Sequence, residues 1–158
     1  MAIVEAGDPA PPFELEDHSG TRVRLDDLRG HWVILYWYTK DDTPGCTTEA
    51  CEFRDNWEAV SAVAEVYGVS PDTVKSHGKF REKFRLPFPL LSDEGHAVAQ
   101  RYGVWAMKKF MGRSYMGVER TTFIIGPDGR VARVFQNVKP SGHAKEVLKA
   151  LAEVKGKG

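Results

Sequence analysis

Trp32-Val33-Ile34-Leu35-Tyr36-Trp37-Tyr38-Thr39-Lys40-Asp41-Asp42-Thr43-Pro44-Gly45-Cys46-Thr47-Thr48-Glu49-Ala50-Cys51 changes character twice. Trp32 to Tyr38 is apolar, uncharged and rich in β-formers, so Trp32–Thr39 reads as a central strand buried on both faces. Lys40 to Gly45 are turn residues. A helix follows from about Cys46 to Ser61, with Ala50, Phe53, Trp57, Val60 and Ala64 forming an apolar stripe at spacings of three and four. The stretch therefore runs from a buried strand through a tight turn into a helix, and Cys46 falls in that helix's first turn.

Upstream, Phe13 and Leu15 alternate with acids, and Val23 and Leu25 alternate with arginines across the His18-Ser19-Gly20 turn. This pattern predicts two short edge strands. Downstream, Val66–Val69 reads as a strand. Ser70-Pro71-Asp72 opens a helix to about Phe84, with Val74, Phe80 and Phe84 inward. Leu86–Leu91 carries Pro87 and Pro89 and is expected to be extended or at an edge. Ser92 or Asp93 caps a short helix to Tyr102. Trp105 to Met116 reads as a long polar-aromatic loop. Val118–Ile125 and Val131–Phe135 flank a hairpin turn at Pro127-Asp128-Gly129-Arg130. Ser141 starts a last helix with Val147, Leu148, Leu151 and Val154 on one face. Strands alternating with helices imply an α/β fold. The order fits a thioredoxin-like architecture, a central mixed β-sheet flanked by helices, with an N-terminal β-hairpin extension. Length predicts a single domain over 1–158, with 155–158 as a flexible tail.

Of the 158 residues, 42% are hydrophobic and 28% charged, which is ordinary for a globular protein. Basic and acidic residues balance at 22 each, which argues against bulk attraction to nucleic acid or an anionic membrane but not against a local basic patch. The run Trp32–Tyr38 is too short to span a bilayer. Met1 to Phe13 lacks the basic start and apolar middle of a signal peptide. A cytoplasmic location is expected, where thiols stay reduced.

Both cysteines lie within six residues, at 46 and 51. Amides in a helix's first turn lack intrahelical partners and, with the helix dipole, favour an anion. Cysteine reacts as its thiolate, and such a position lowers a thiol's pKa. Thr43 can turn its hydroxyl toward the sulfur or a substrate, Pro44 stiffens the turn and Gly45 allows close backbone approach. In an unbroken helix the Cα atoms of Cys46 and Cys51 stand about 8–9 Å apart on different faces. A disulfide needs them within about 7 Å. The spacing is poor for a permanent staple and suited to a two-step redox cycle that unwinds the first turns. The residues alone still leave open a structural bridge, a zinc site (though His18, His31, His77, His96 and His143 show no paired motif) and two unrelated core cysteines.

Asp41-Asp42-Thr43-Pro44-Gly45-Cys46-Thr47-Thr48-Glu49-Ala50-Cys51 closely resembles the active-site motif of peroxiredoxins of the bacterioferritin comigratory protein (Q) type. The likeness extends through Gly68-Val69-Ser70-Pro71-Asp72, Leu86 to Asp93, Tyr102-Gly103-Val104-Trp105, Gly117 to Ile125 and Pro127-Asp128-Gly129. The resemblance implies a thiol-dependent peroxidase acting on hydrogen peroxide and organic hydroperoxides, with Cys46 as peroxidatic and Cys51 as resolving cysteine. Thr43 and Pro44 match its shielding and hydrogen-bonding positions, and Arg120 the arginine that completes the site from a neighbouring strand. Thr39 stands where the family commonly has proline, and only a modest effect on turn stiffness is expected of it.

By this resemblance the Cys46 thiolate attacks ROOH and becomes a sulfenic acid. Cys51 then closes an intrachain disulfide, and thioredoxin or a similar dithiol reopens it. No metal or organic cofactor is required. No nucleic-acid or membrane partner is expected, and a monomer can complete the cycle. The rival reading is a thiol–disulfide oxidoreductase of the thioredoxin class, which uses Cys-x-x-Cys at this turn; Thr43 in the first of those positions speaks against it.

Overall fold

The computed structural model describes residues 3–156. Its centre is β3 (Val33–Trp37), every residue of which is buried. A strand can bury both faces only if the sheet is covered on both, and two cores meet across it. Ile34, Tyr36 and Tyr38 pack with Cys46, Ala50 and Phe53. Val33, Leu35 and Trp37 pack with Tyr102, Phe123 and Ile125 on the other side.

The strands are β1 (Glu14–Asp17), β2 (Arg22–Arg24), β3, β4 (Glu65–Ser70), β5 (Leu90–Ser92), β8 (Thr121–Ile125) and β9 (Val131–Phe135), in the order β2-β1-β5-β4-β3-β8-β9. β3, β4 and β5 run parallel, whereas β1, β8 and β9 join antiparallel to their neighbours. The helices are α1 (Pro44–Asp55), α2 (Trp57–Ser61), α3 (Val74–Phe84), α4 (Ala97–Tyr102) and α5 (His143–Gly156). Helices α1, α2, α3 and α5 contribute to the core that holds Cys46, and α4 to the opposite one. The expected mixed α/β sheet with an edge β1–β2 hairpin is thus observed.

Several boundaries differ from the sequence reading. The first long helix starts at Pro44, because proline is favoured at the first helical position. It ends at Asp55 rather than Ser61: Asn56 donates its side-chain amide to the Glu52 carbonyl at 2.8 Å, and a new helix starts at Trp57. Leu90–Ser92 is not an edge but lies between β1 and β4, with Pro87 and Pro89 just outside the strand. Lys155 and Gly156 belong to α5 rather than to a loose tail, and 157–158 lie outside the described residues.

The largest difference is at Trp105–Met116. This stretch is no loop but most of a separate two-stranded hairpin, β6 (Trp105–Phe110) with β7 (Arg113–Val118). Phe110 pairs with Arg113 around Met111 (φ 50°) and Gly112 (φ 78°). Two positive φ values in a two-residue turn mark the twist-compatible type that usually advertises itself as Asn-Gly. Here methionine fills the first position, and mostly exposed strands hide the alternation.

Gly68 on β4 tests the packing around β3. A Cβ there would lie 2.8 Å from the Tyr36 ring and 2.9 Å from Leu90. Tyr36 stacks on Tyr38 and Phe53 and cannot retreat. Gly68→Ala is expected to lose about 1–3 kcal/mol of stability in urea unfolding. An unchanged midpoint would mean that this core has slack.

Candidate active site

Thr43 ends the turn after β3 and is the residue before the first turn of α1, with extended φ −98°. Asp42 before it takes a left-handed φ of 57°, which folds the chain back sharply. Asp41 anchors the turn. Its buried carboxylate accepts from Tyr38 Oη at 2.5 Å and Ser76 Oγ at 2.7 Å, and lies 2.8 Å from His77 Nδ1. His77 Nε2 donates to the Leu91 carbonyl at 2.9 Å, and the Asp41 amide donates to Asp72 at 2.9 Å. Asp41, Asp72 and His77 are also the one group of ligand-type side chains spaced for a metal among the described residues. Their atoms are committed to fixing this turn, so they read as its anchor.

The turn delivers Cys46 to a site where the residue is 1% exposed. Thr39 Oγ1 lies 3.2 Å from Cys46 Sγ, and Arg120 Nη2 donates to the same sulfur at 3.2 Å. Arg120 reaches it from the turn between β7 and β8. Its other terminal nitrogen, Nη1, donates to Glu49 Oε1 at 2.8 Å. Glu49 sits one helical turn after Cys46, so the two side chains share a face of α1 and one guanidinium spans them. Gly45 leaves the guanidinium room: a Cβ there would lie 3.2 Å from Arg120 Nη2.

The electrostatics follow from these contacts. Burial alone raises the Cys46 thiol. The Lys40 backbone N–H, the Thr39 and Thr43 hydroxyls and the Arg120 charge outweigh it and hold the thiol below its ordinary value. Burial works against the Arg120 charge, yet Cys46 and Glu49 together hold it protonated. Burial raises the Glu49 carboxyl to about 7 despite Arg120; its second oxygen has no hydrogen-bond partner. Burial also raises Cys51, opposed by Arg54 and reinforced by Asp55. The two thiols are therefore tuned in opposite directions. The low one touches a cation, and both are free, on one continuous helix.

Cys46, Arg120, Thr43, Pro44 and Gly45 are gathered at this point as the sequence reading anticipated, with three corrections. Thr39, to which no chemistry was assigned, contacts the sulfur directly. Thr43 has its proton on the Lys40 carbonyl at 2.8 Å, and reaching the sulfur with it takes a rotation of the hydroxyl. The backbone donor comes from Lys40, before the helix, rather than from its first turn. Glu49 was missed. Its signal was an acid at a position flanked by the buried Cys46, Ala50 and Phe53, where a charge demands a partner.

A buried cysteine with a lowered thiol pKa at the strand-to-helix turn of a thioredoxin-like sheet, with Thr43 in place of a second cysteine three residues before it, fits a class, the thiol peroxidases. The comparisons agree. The model of the AhpC/TSA family matches residues 6–134. Peroxiredoxin Bcp of Bacillus subtilis (strain 168) is 46% identical over 155 residues, covering 98% of this chain and 99% of that protein. Peroxiredoxin Bcp of Escherichia coli (strain K12) is 44% identical over 154 residues, covering 97% and 99%. A cysteine-to-serine mutant of Xylella fastidiosa PrxQ superposes with a TM-score of 0.91 at 35% identity, covering 97% of this chain and 98% of that one. A Xanthomonas campestris bacterioferritin comigratory protein, from work on its alkyl peroxide reduction, gives 0.87 at 38% identity, covering 98% and 99%. The chain belongs to the AhpC/TSA family, among its Bcp/Q-type peroxiredoxins, and is a thiol-dependent peroxidase.

The Thr39 contact makes a separable claim. Thr39→Val keeps the shape and removes the hydroxyl, and a hydrogen bond to a charged group is worth about 1.5–3 kcal/mol. The variant is expected to react with peroxide on the order of tenfold more slowly at pH 6 in stopped flow, while Thr39→Ser stays near the parent. Equal rates for Thr39→Val and the parent would remove Thr39 from the site.

Proposed function

We propose that Cys46 is the nucleophile of this peroxidase and Cys51 its resolving partner. The observation that carries the reading is the Arg120 guanidinium 3.2 Å from the Cys46 sulfur and 2.8 Å from Glu49. The thiolate attacks the terminal oxygen of ROOH, an S–O bond forms and the O–O bond breaks. Charge moves from sulfur onto the leaving oxygen, which departs as ROH after taking a proton. Arg120 and the Thr39 hydroxyl are preorganised for that charge, and Thr43 can join them once its hydroxyl turns from the Lys40 carbonyl. The sulfur is left as a sulfenic acid.

Cys51 then attacks the sulfenic sulfur, water leaves and a disulfide forms. Because α1 runs unbroken through both residues, its first turns must open to bring Cα atoms about 8–9 Å apart within bonding range. In the folded helix the raised Cys51 thiol is a weak nucleophile; opening releases it from that burial. A dithiol, thioredoxin or a protein like it, restores both thiols by exchange. Hydrogen peroxide and organic hydroperoxides both fit the chemistry, with no metal or organic cofactor. Since both cysteines lie in one chain, the unit 1–158 works as a single domain and a monomer, and the reducing cytoplasm is its setting.

Cys46→Ser is expected to abolish turnover. Cys51→Ser should keep one stoichiometric turnover and lose recycling through thioredoxin. Arg120→Ala should lower kcat/KM on the order of 10²–10³. Full steady-state turnover by Cys46→Ser, or an intermolecular bridge in intact-mass analysis after one equivalent of peroxide, would contradict the proposed cycle.

A further inference from the structure

The β6–β7 hairpin is joined to no other strand of the structure. The large hydrophobic residues that are mostly exposed among the described residues are all on it: Met107 at 60%, Phe110 at 67%, Met111 at 87%, Tyr115 at 48% and Met116 at 45%. Three of the chain's four methionines are among them. The same stretch, Trp105–Val118, carries Lys108, Lys109 and Arg113 and no acid, in a chain whose charges sum to zero, so the remainder holds three more acids than bases. An apolar patch of this kind on an otherwise ordinary surface marks something it meets.

The pairing register says what fits. Met107 pairs with Met116 and Lys109 with Ser114, so these four share one face of the ribbon. Lys108 pairs with Tyr115 and Phe110 with Arg113 on the opposite face, with Met111 at the turn between them. Apolar and basic groups thus lie on both faces and at the tip. A flat protein surface would cover one face and leave the other bare. A second copy would bring the same positive charge to the contact. A fluid anionic interface surrounds a projecting tip, takes flexible methionines and aromatics on all sides, and neutralises the basic residues with headgroups.

We infer that the β6–β7 hairpin is a docking arm for anionic lipid bilayers, with Phe110 and Met111 entering the interface and Lys109 and Arg113 meeting the headgroups. Chain-wide neutrality argued against a membrane partner, but a sum over the chain does not register a local patch. Lys108 donates to the Val118 carbonyl at 2.7 Å and stays at the arm's base. From Arg113 to Val118 the strand rises about 17 Å, and Arg120 follows two residues later. A docked arm therefore holds the peroxidase site within roughly 20 Å of the bilayer surface.

The test is flotation of the full chain with vesicles of phosphatidylcholine alone or with 30 mol% phosphatidylglycerol. Each basic residue at an anionic surface is worth about fivefold in partitioning. Binding to the anionic vesicles is expected to exceed binding to the neutral ones at least tenfold and to fall in 0.5 M salt. Phe110→Ser with Met111→Ser, and separately Lys109→Glu with Arg113→Glu, should each cut it at least tenfold while peroxidase activity without vesicles is unchanged. Equal partitioning to both vesicle types, or undiminished binding by either double variant, would overturn the inference. So would a concentration-dependent dimer that the variants abolish, or a raised KM for reduced thioredoxin with vesicle binding intact.

Discussion

One guanidinium, that of Arg120, holds the site together. It donates to the sulfur of Cys46 and to the carboxylate of Glu49 at once, inside a core that would otherwise expel both charges. Neither anion is tolerable alone at that depth. With the cation between them, the thiol stays below its ordinary value, and the carboxyl, which burial raises to about 7, is kept from rising further. The fold serves this arrangement. β3 carries the chain into the core, the Asp41 anchor fixes the turn, and β8 begins where Arg120 must stand.

The same helix that presents Cys46 keeps Cys51 from it. A continuous α1 supplies the register that puts Cys46 and Glu49 on one face, and its geometry also sets the two sulfurs on different faces. In the proposed cycle, activation and resolution therefore ask for different conformations of one short segment. The Asp41 cluster, with its bonds to Tyr38, Ser76, His77 and Asp72, is a fixed point on the N-terminal side of that segment. Opening in the proposed cycle would begin beyond it and would break the Arg120 contacts to Cys46 and Glu49.

The central sheet was legible because its chemistry is local. An uninterrupted apolar run at Trp32–Tyr38 has few alternatives to a buried strand, and the turn residues after it placed the helix start within two residues of Pro44, where it lies. Arg120 was legible only through resemblance, since nothing local distinguishes it from other arginines near a strand. Thr39 and Glu49 escaped for different reasons. The Thr39 contact depends on how sharply the turn folds back, which Asp42's left-handed φ decides. Glu49 was passed over because it is an acid beside the apolar stripe of Ala50 and Phe53, and its partner, Arg120, lies 71 residues away. The β6–β7 hairpin escaped because its turn uses methionine in a conformation that usually calls for asparagine or glycine, and because the apolar residues on both its faces erase the alternation by which a strand is read.

The central claim is that the sulfur at position 46 is ionised at pH values where an ordinary thiol is not. The pH dependence of its alkylation by iodoacetamide, followed by intact mass with Cys51 replaced by serine, measures this directly. Thiolate reacts and thiol does not, so the rate should rise to its plateau with a midpoint clearly below the usual thiol value of about 8.5, and Arg120→Ala should move that midpoint upward. A midpoint at or above the usual value, unmoved by the loss of Arg120, would contradict the account.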